Sequence, residues 1–262
     1  MTVHASAATG YTRSATTYVS GRPGYPAEAA AWLREVAGLA PGRGVLEVGA
    51  GTGKFVPLLR DTGAHVTALE PVAAMRATLA RDHADVTVVE GTAEAIPLPD
   101  AGVDAVICAQ AFHWFATPAA VAEMRRVLKP GGVLGLIWNV RDESVPWVAA
   151  LSAITDPYAR GTPRYRTGAW RRCFPAPGFA AIDERRADHP HVGRAEDVIV
   201  ARTMSVSFIA ALDDAERATV ERQVRGLIAA TPELAGESVA FPYETRMFAF
   251  RRVDQDRGGT GC

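Results

Sequence analysis

Val45-Leu46-Glu47-Val48-Gly49-Ala50-Gly51-Thr52-Gly53-Lys54-Phe55 decides the fold of this chain. A short apolar run carries one acid, Glu47, and then opens into three alternating glycines. Glycine tolerates positive φ and lets a ligand approach the backbone closely. The stretch therefore predicts a strand over 44–49, a tight turn, and a helix over 55–61. Two nucleotide-binding patterns fail here. A dinucleotide fingerprint GxGxxG begun at Gly49 puts its third glycine at Lys54, and begun at Gly51 puts it at Val56. A P-loop requires GxxxxGK followed by Ser or Thr, but Gly53-Lys54 is followed by Phe55, and Val48 stands where its first glycine belongs.

The flanking sequence extends the pattern. Strands are expected over 65–70, 86–90, 103–109 and 133–138, with helices over 71–83 and 118–128 between them. Pro71 is expected near a first helical turn, where a missing N–H costs little. Short apolar strands alternating with helices indicate βαβ units and a parallel sheet. Right-handed crossovers then place every strand-to-helix turn on one edge of that sheet, where ligands of open α/β sheets bind. Beyond Asn139, helices are expected over 145–155, 195–212 and 214–230, the last capped by Asp213 or Asp214. Strands are expected over 179–188 and 245–253, separated from the first half by a loop-rich stretch over 156–177.

The glycine turn, Glu47-x-Gly49-x-Gly51-x-Gly53, resembles motif I of the class I S-adenosylmethionine (SAM)-dependent methyltransferases. Further matches follow in the order that family shows them. Glu70 ends the second strand, Gly91-Thr92-Ala93-Glu94 follows the third, and Cys108-Ala109-Gln110-Ala111-Phe112-His113-Trp114-Phe115 follows the fourth. Arg126-Val127-Leu128-Lys129-Pro130-Gly131-Gly132 resembles a turn of the same family before its fifth strand. The resemblance covers 42–139 firmly and 11–31 more loosely. The lead-in Tyr18-Val19-Ser20-Gly21-Arg22-Pro23-Gly24-Tyr25-Pro26 is similar to small-molecule members near the trans-aconitate-methyltransferase-like, type 11 group.

The resemblance implies a Rossmann-like, doubly wound α/β fold: a mostly parallel seven-stranded sheet with an N-terminal helical lid and C-terminal additions. It implies one methyltransferase domain over 1–262, with a lid or arm over 1–41, a SAM-binding core over 42–139, a substrate-side extension over 140–253 and a flexible tail over 254–262. SAM is the implied cofactor and S-adenosylhomocysteine its product. The implied cofactor residues are Arg22, Glu47, Gly49, Ala50, Gly51, Gly53, Glu70, Pro71, Met75, Thr92, Ala93, Glu94, Gln110 and Ala111. Many relatives carry Asp where this chain has Thr92, which removes a side-chain bond to the adenine amino group and leaves the Ala93 backbone to serve. Tyr11, Tyr18, Tyr25, Phe112 and Trp114 are implied to line the substrate side or the lid.

Methyl transfer from a sulfonium is an in-line displacement with a good leaving group, so alignment supplies much of the acceleration. A general base matters only where the acceptor must lose a proton. His113, just past the fourth strand, is the candidate catalytic base, with a pocket-wall role the competing reading. His189 and His191 are weaker candidates. Ala109-Gln110-Ala111-Phe112 departs from the [ND]PP[YF] tetrad of enzymes that methylate base amino groups. No acidic triad marks a metal-dependent catechol-type site, so no metal is expected.

Composition narrows the partners. The 262 residues carry 28 basic and 29 acidic side chains, a formal net charge of −1, with 48% apolar residues. That excludes a disordered chain and disfavours the basic footprint of a nucleic-acid binder. Arginine supplies all but two of the cations, Lys54 and Lys129. Three cysteines without a CxxC pair point away from a disulfide framework or structural zinc. No signal peptide and no ~18-residue apolar membrane span is expected from the sequence. The expected setting is cytoplasmic, as monomer or homodimer, with a small-molecule acceptor (a secondary metabolite or carboxylic acid) and no nucleic acid or membrane. Arg160, Arg164, Arg166, Arg171 and Arg172 form a basic loop that could suit an acidic substrate, but the favoured reading is a solvated face paired with Asp156 and its neighbours. The alternative activity is a protein of the same fold that binds SAM but catalyses another reaction or only binds.

Overall fold

The structure, a computed structural model, describes residues 22–254. Alternation of apolar side chains along β1 (Gly44–Val48), β4 (Val103–Ala109) and β5 (Leu128–Arg141) sets the architecture. Successive strand residues face opposite sides. Leu46, Val106, Cys108, Leu134 and Leu136 therefore enter one core layer, and Val45, Ala105, Ile107, Val133 and Ile137 the other. All seven residues of β4 are buried, as a strand covered on both faces requires.

These strands join β2 (His65–Leu69), β3 (Thr87–Val89), β6 (Phe179–Asp188) and β9 (Tyr243–Arg252) in one seven-stranded sheet of order β3-β2-β1-β4-β5-β9-β6. The β1, β2, β3, β4 and β5 neighbours pair in parallel, and β9 runs antiparallel to β5 and β6. The chain winds outward from β1 to β3 and then returns to place β4 against β1. Their carboxyl ends thus form a topological switch point, the crevice where such sheets bind ligands.

Five helices pack around this core or above it: α1 (Ala27–Glu35), α2 (Val56–Arg60), α3 (Ala73–Asp82), α4 (Pro118–Val127) and α5 (Pro146–Thr155). In α1, Trp32 is fully buried and its indole N–H donates to Asp183 Oδ2 at 2.8 Å, tying the N-terminal helix to β6. At the opposite edge from the crevice, Asp104 accepts from the Gly44 amide, Arg43 and Lys129 at 2.8–2.9 Å. Burial works against ionising Asp104, but these donors outweigh it and hold the carboxyl down at about 2.

The second half builds a cap with its own apolar core. Trp147, Val148 and Leu151 of α5 meet Val198–Val200, Ile209, Val220, Val224, Phe241 and Tyr243. The cap adds a short two-stranded sheet, β7 (His191–Gly193) with β8 (Val239–Phe241), which sequence periodicity did not indicate. The helix expected over 195–212 is broken. A π-helical turn, Glu196–Ala201, runs into α6 (Arg202–Met204), and α7 (Ser207–Ala210) follows. The long helix α8 (Asp214–Ala230) starts as expected, with Asp213 Oδ1 accepting from the Glu216 amide at 2.8 Å.

Other boundaries also move. The helix after the glycine turn shortens to α2, and β5 extends back through Pro130 and Gly131 to Leu128. Pro71 lies two residues before α3 because Glu70 Oε1 accepts from the Val72 amide at 2.8 Å, making 70–72 a turn. No helix of the described residues is long and apolar enough to cross a membrane.

Candidate active site

A cavity of about 280 Å³ opens at the β1/β4 switch point, close to the lower end of the ~300–1,000 Å³ range of small-molecule pockets. Its walls include Arg22, Tyr25, Glu47, Gly49, Ala50, Gly51, Glu70, Pro71, Met75, Thr92, Ala93, Glu94, Gln110, Ala111 and Trp114. These residues come from five separate segments, and the fold brings all of them to one edge.

The glycine turn is fixed from below. Glu70 accepts from the Gly51 amide through Oε2 at 2.8 Å and from the Val72 amide through Oε1 at 2.8 Å. Gly49 and Ala50 donate to the Leu69 carbonyl at 2.9 and 3.1 Å. Gly51 sits at φ +61°, and a Cβ there meets only the Met75 sulfur at 3.9 Å. The space beside Gly51 is therefore the cavity itself. Gly53 differs. It has φ +86°, but its Cβ would strike the His83 ring at 2.5 Å. Gly53 is required by packing against the end of α3, and it lies outside the cavity wall.

Glu47 is 1% exposed, and its Oε2 has no hydrogen-bond partner. Burial pushes its carboxyl up to about 8, with the neighbouring Glu70 adding to the rise. Glu70 is also raised by burial, against the Val72 and Gly51 amides and Arg76. Gln110 at the end of β4 adopts φ +58°, rare outside glycine and often a mark of functional sites. Its amide donates to the Ile137 carbonyl at 2.8 Å, and its side chain donates to the Asn139 carbonyl at 3.2 Å.

His113 and Phe112 stand behind the wall rather than in it. Phe112 is fully buried, edge-on to Phe115. His113 Nδ1 accepts from the Trp138 indole at 3.1 Å. Indole is a donor only, so the neutral imidazole carries its proton on Nε2. Burial first, and Arg22 second, pull its pKa down to about 3. His189 and His191 are likewise absent from the cavity wall. Tyr11 and Tyr18 lie outside the described residues.

The basic loop pairs with acids: Arg164 and Arg166 with Asp156, Arg166 also with Glu143, and Arg160 with Glu216. Arg171 lies over the Trp170 and Phe248 rings. The cavity contains basic groups of other origin. Lys54 and Arg202 line it, as do Asn139 and Tyr243. Sequence motifs did not single out these four. Lys54 Nζ donates to the Arg22 carbonyl. Asn139 donates to the Gly24 carbonyl at 2.6 Å and accepts from Thr245 at 2.7 Å. Burial, then Arg22 and Arg202, lower the Lys54 pKa to about 8.

A family model described as a methyltransferase domain matches residues 46–136. An uncharacterized methyltransferase-like protein of Schizosaccharomyces pombe is 34% identical over 88% of this chain and 91% of its own length. The chain belongs to the class I SAM-dependent methyltransferases. The uncharacterized methyltransferase Rv3342 of Mycobacterium tuberculosis is 37% identical over 87% of this methyltransferase and 89% of its own length. Among solved structures, one described as a type II methyltransferase of Anaeromyxobacter dehalogenans superposes with a TM-score of 0.63 at 26% identity, covering 88% of this chain and 97% of that one. The [4+2]-cyclase SpnF shares the fold with a TM-score of 0.58 at 18% identity, over 95% of this chain and 96% of its own. In the methyltransferase, then, the cavity at the switch point is the candidate active site.

Proposed function

We propose that this methyltransferase transfers a methyl group from SAM to a small-molecule acceptor held in the same cavity. One observation carries the cofactor reading: Glu47 presents a buried carboxylate oxygen without a partner in the wall beside Gly51. A buried acid of that kind is costly alone and matches the ammonium of a methionyl group. The open room at Gly51, where a Cβ meets only Met75 at 3.9 Å, suits close backbone approach of the same group. Glu70, with each carboxylate oxygen keeping capacity beyond one amide bond, is placed to accept from ribose hydroxyls. The Thr92–Glu94 turn and Met75 suit the adenine end, and Arg22 the cofactor carboxylate. When bound, SAM supplies a methyl group activated on sulfonium.

The chain's own residues orient and shield the reactants. Tyr25, packed edge-on against Phe55 at 4.6 Å between ring centres, and Trp114 wall the cavity and exclude water. His113, bound to Trp138 through Nδ1, acts as a positioning group that holds this wall. The small cavity and the near-neutral net charge support a small acceptor over nucleic acid. The test is transfer of labelled methyl from SAM to a panel of small metabolites, read by mass. Product that appears with wild type and is lost in Glu47→Gln supports the reading. Cofactor binding without methylated product from any panel member, or from the source metabolite extract, favours a non-methylating activity.

A further inference from the structure

Gln110 lines the cavity with a φ of +58°, in the left-handed region. A non-glycine residue is strained there, and such strain clusters at functional sites. Two hydrogen bonds hold Gln110 in place. Its backbone amide donates to the Ile137 carbonyl at 2.8 Å, and its side-chain Nε2 donates to the Asn139 carbonyl at 3.2 Å. A carbonyl only accepts, so the side-chain nitrogen faces Asn139 and the oxygen, Oε1, is turned away from it. No donor among the described residues reaches Oε1, and this oxygen is not sealed in protein. Asn139 is itself fixed, through the Gly24 carbonyl and the Thr245 hydroxyl. The cavity therefore carries a rigid, neutral hydrogen-bond acceptor whose partner comes from a ligand.

Among the described residues, the groups able to take a proton from that ligand are committed elsewhere. His113 stands behind the wall with its Nδ1 lone pair occupied by the Trp138 indole. Glu47, Glu70 and Glu94 serve the cofactor in the reading above. Lys54 donates to the Arg22 carbonyl, and Arg141 engages the Tyr243 hydroxyl. The Gln110 amide is not a base. The methyl acceptor then has to attack without first losing a proton. A neutral amine does this, since its lone pair is free while the nitrogen still carries N–H. Lys54 shows how the cavity treats an amine. Burial first, then Arg22 and Arg202, lower its pKa to about 8. The same surroundings favour the unprotonated form of an amine bound beside it.

We propose that Gln110 Oε1 accepts the N–H of a primary or secondary amine and so directs methyl transfer to nitrogen. This rests on the SAM reading above. The nitrogen lone pair forms the new N–C bond as the S–C bond of the sulfonium breaks. The S–C electron pair stays on sulfur, giving S-adenosylhomocysteine. The product forms as a methylammonium that still holds its proton, and that proton passes to water afterwards. Positive charge builds on nitrogen in the transition state, so its N–H bond to Gln110 strengthens there. An interaction that strengthens in the transition state raises kcat rather than only tightening binding.

The experiment uses the full chain in three stages. S-adenosylhomocysteine binding is measured first, by calorimetry. SAM labelled with ¹³C in its methyl group is then supplied together with the source metabolite extract. The carbon shift of the product separates nitrogen-, oxygen- and carbon-bound methyl, and a nitrogen-bound methyl on a primary or secondary amine is expected. Steady-state kinetics with that amine follow. Gln110→Met keeps the length of the side chain and loses the acceptor. It should lower kcat by about 10–100-fold and leave S-adenosylhomocysteine affinity within about threefold of wild type. Gln110→Gly relieves the strained φ, so the same loss of kcat in a variant folded by circular dichroism excludes a folding defect. An oxygen- or carbon-bound methyl overturns the proposal, as does unchanged kcat in Gln110→Met. Parallel loss of S-adenosylhomocysteine affinity overturns it too, by assigning Gln110 to the cofactor. Wild type that binds S-adenosylhomocysteine but yields no methylated product contradicts methyl transfer itself, and wild type that binds none contradicts the SAM reading. Either result takes the proposal with it.

Discussion

Glu70 Oε2 accepts a 2.8 Å hydrogen bond from the Gly51 amide, so the end of β2 holds the turn that follows β1. The bond preorganises the two segments that the cofactor reading needs together. It also separates the glycines of the turn by role. Gly51 faces open cavity, whereas Gly53 faces the His83 ring.

Gly51→Val should lower S-adenosylhomocysteine affinity by roughly 100-fold or more, about 2.7 kcal/mol, because the branched side chain fills the cavity. The φ of +61° adds strain, worth about 1–3 kcal/mol, so circular dichroism should show a folded protein with a lower Tm. Gly53→Ala should instead act mainly on stability. Overpacking against His83 costs about 1–3 kcal/mol, and each kcal/mol lowers Tm by about 2–4 °C in a chain of this size class. Equal affinity loss in both variants contradicts this division.

Glu47 and Lys54 should give SAM affinity a bell-shaped pH dependence. Glu47 is raised to about 8, so below that pH the free protein carries it protonated and binding an ammonium releases a proton. Affinity should rise with pH up to about 8. Lys54 is lowered to about 8, so its charge is lost above that pH and the attraction for the cofactor carboxylate falls. Calorimetry across pH 6–10 checks both limbs. Glu47→Gln should remove the rising limb and weaken binding by about 10–100-fold, the worth of a hydrogen bond to a charged group. Lys54→Met should remove the falling limb. For the free protein the sign reverses: ionising Glu47 costs the folded state, so stability is lost as pH rises from 4.5 toward about 8. Glu47→Gln should flatten that decline in Tm.

His113 should remain neutral across the working pH range, because its pKa lies at about 3 and its Nδ1 is occupied by Trp138. Imidazole ¹⁵N resonances should report a neutral ring with its proton on Nε2 from pH 5 to 9. A titration near 6.5 contradicts the positioning role and restores His113 as a candidate base.

Asp104→Asn should destabilise the protein by about 1–2 kcal/mol and leave S-adenosylhomocysteine affinity unchanged, since Asp104 lies on the amino edge of the sheet. Its folded pKa is depressed to about 2. Its contribution is therefore fully present above about pH 4 and is lost as pH falls through about 2. Acid unfolding monitored by circular dichroism should shift to higher pH in the variant.

The glycine-turn side of the cavity was legible because its signals are local. Glycine spacing, an acid at a strand end and βαβ periodicity each depend on residues near one another in the chain. Tyr243 and Asn139 were not legible, because only the antiparallel insertion of β9 beside β5, with Asn139 opposite Thr245, brings them to the same crevice. The π-helical turn before Arg202 and the β7–β8 pair have no periodic signature of comparable strength. The loop arginines drew attention as a cluster in sequence, while their partners Glu143 and Glu216 lie elsewhere in the chain. His113 looked basic by position, yet the lone pair that such a role requires faces Trp138, 25 residues away.

The account turns on the pairing of Glu47 with the cofactor ammonium in the turn held by Glu70. Calorimetric titration of S-adenosylhomocysteine into the full chain at pH 7, repeated in buffers of different ionisation enthalpy, tests it most directly. The account predicts single-site binding with net proton release that disappears in Glu47→Gln. Absence of binding, or binding whose proton release is the same in Glu47→Gln, contradicts it.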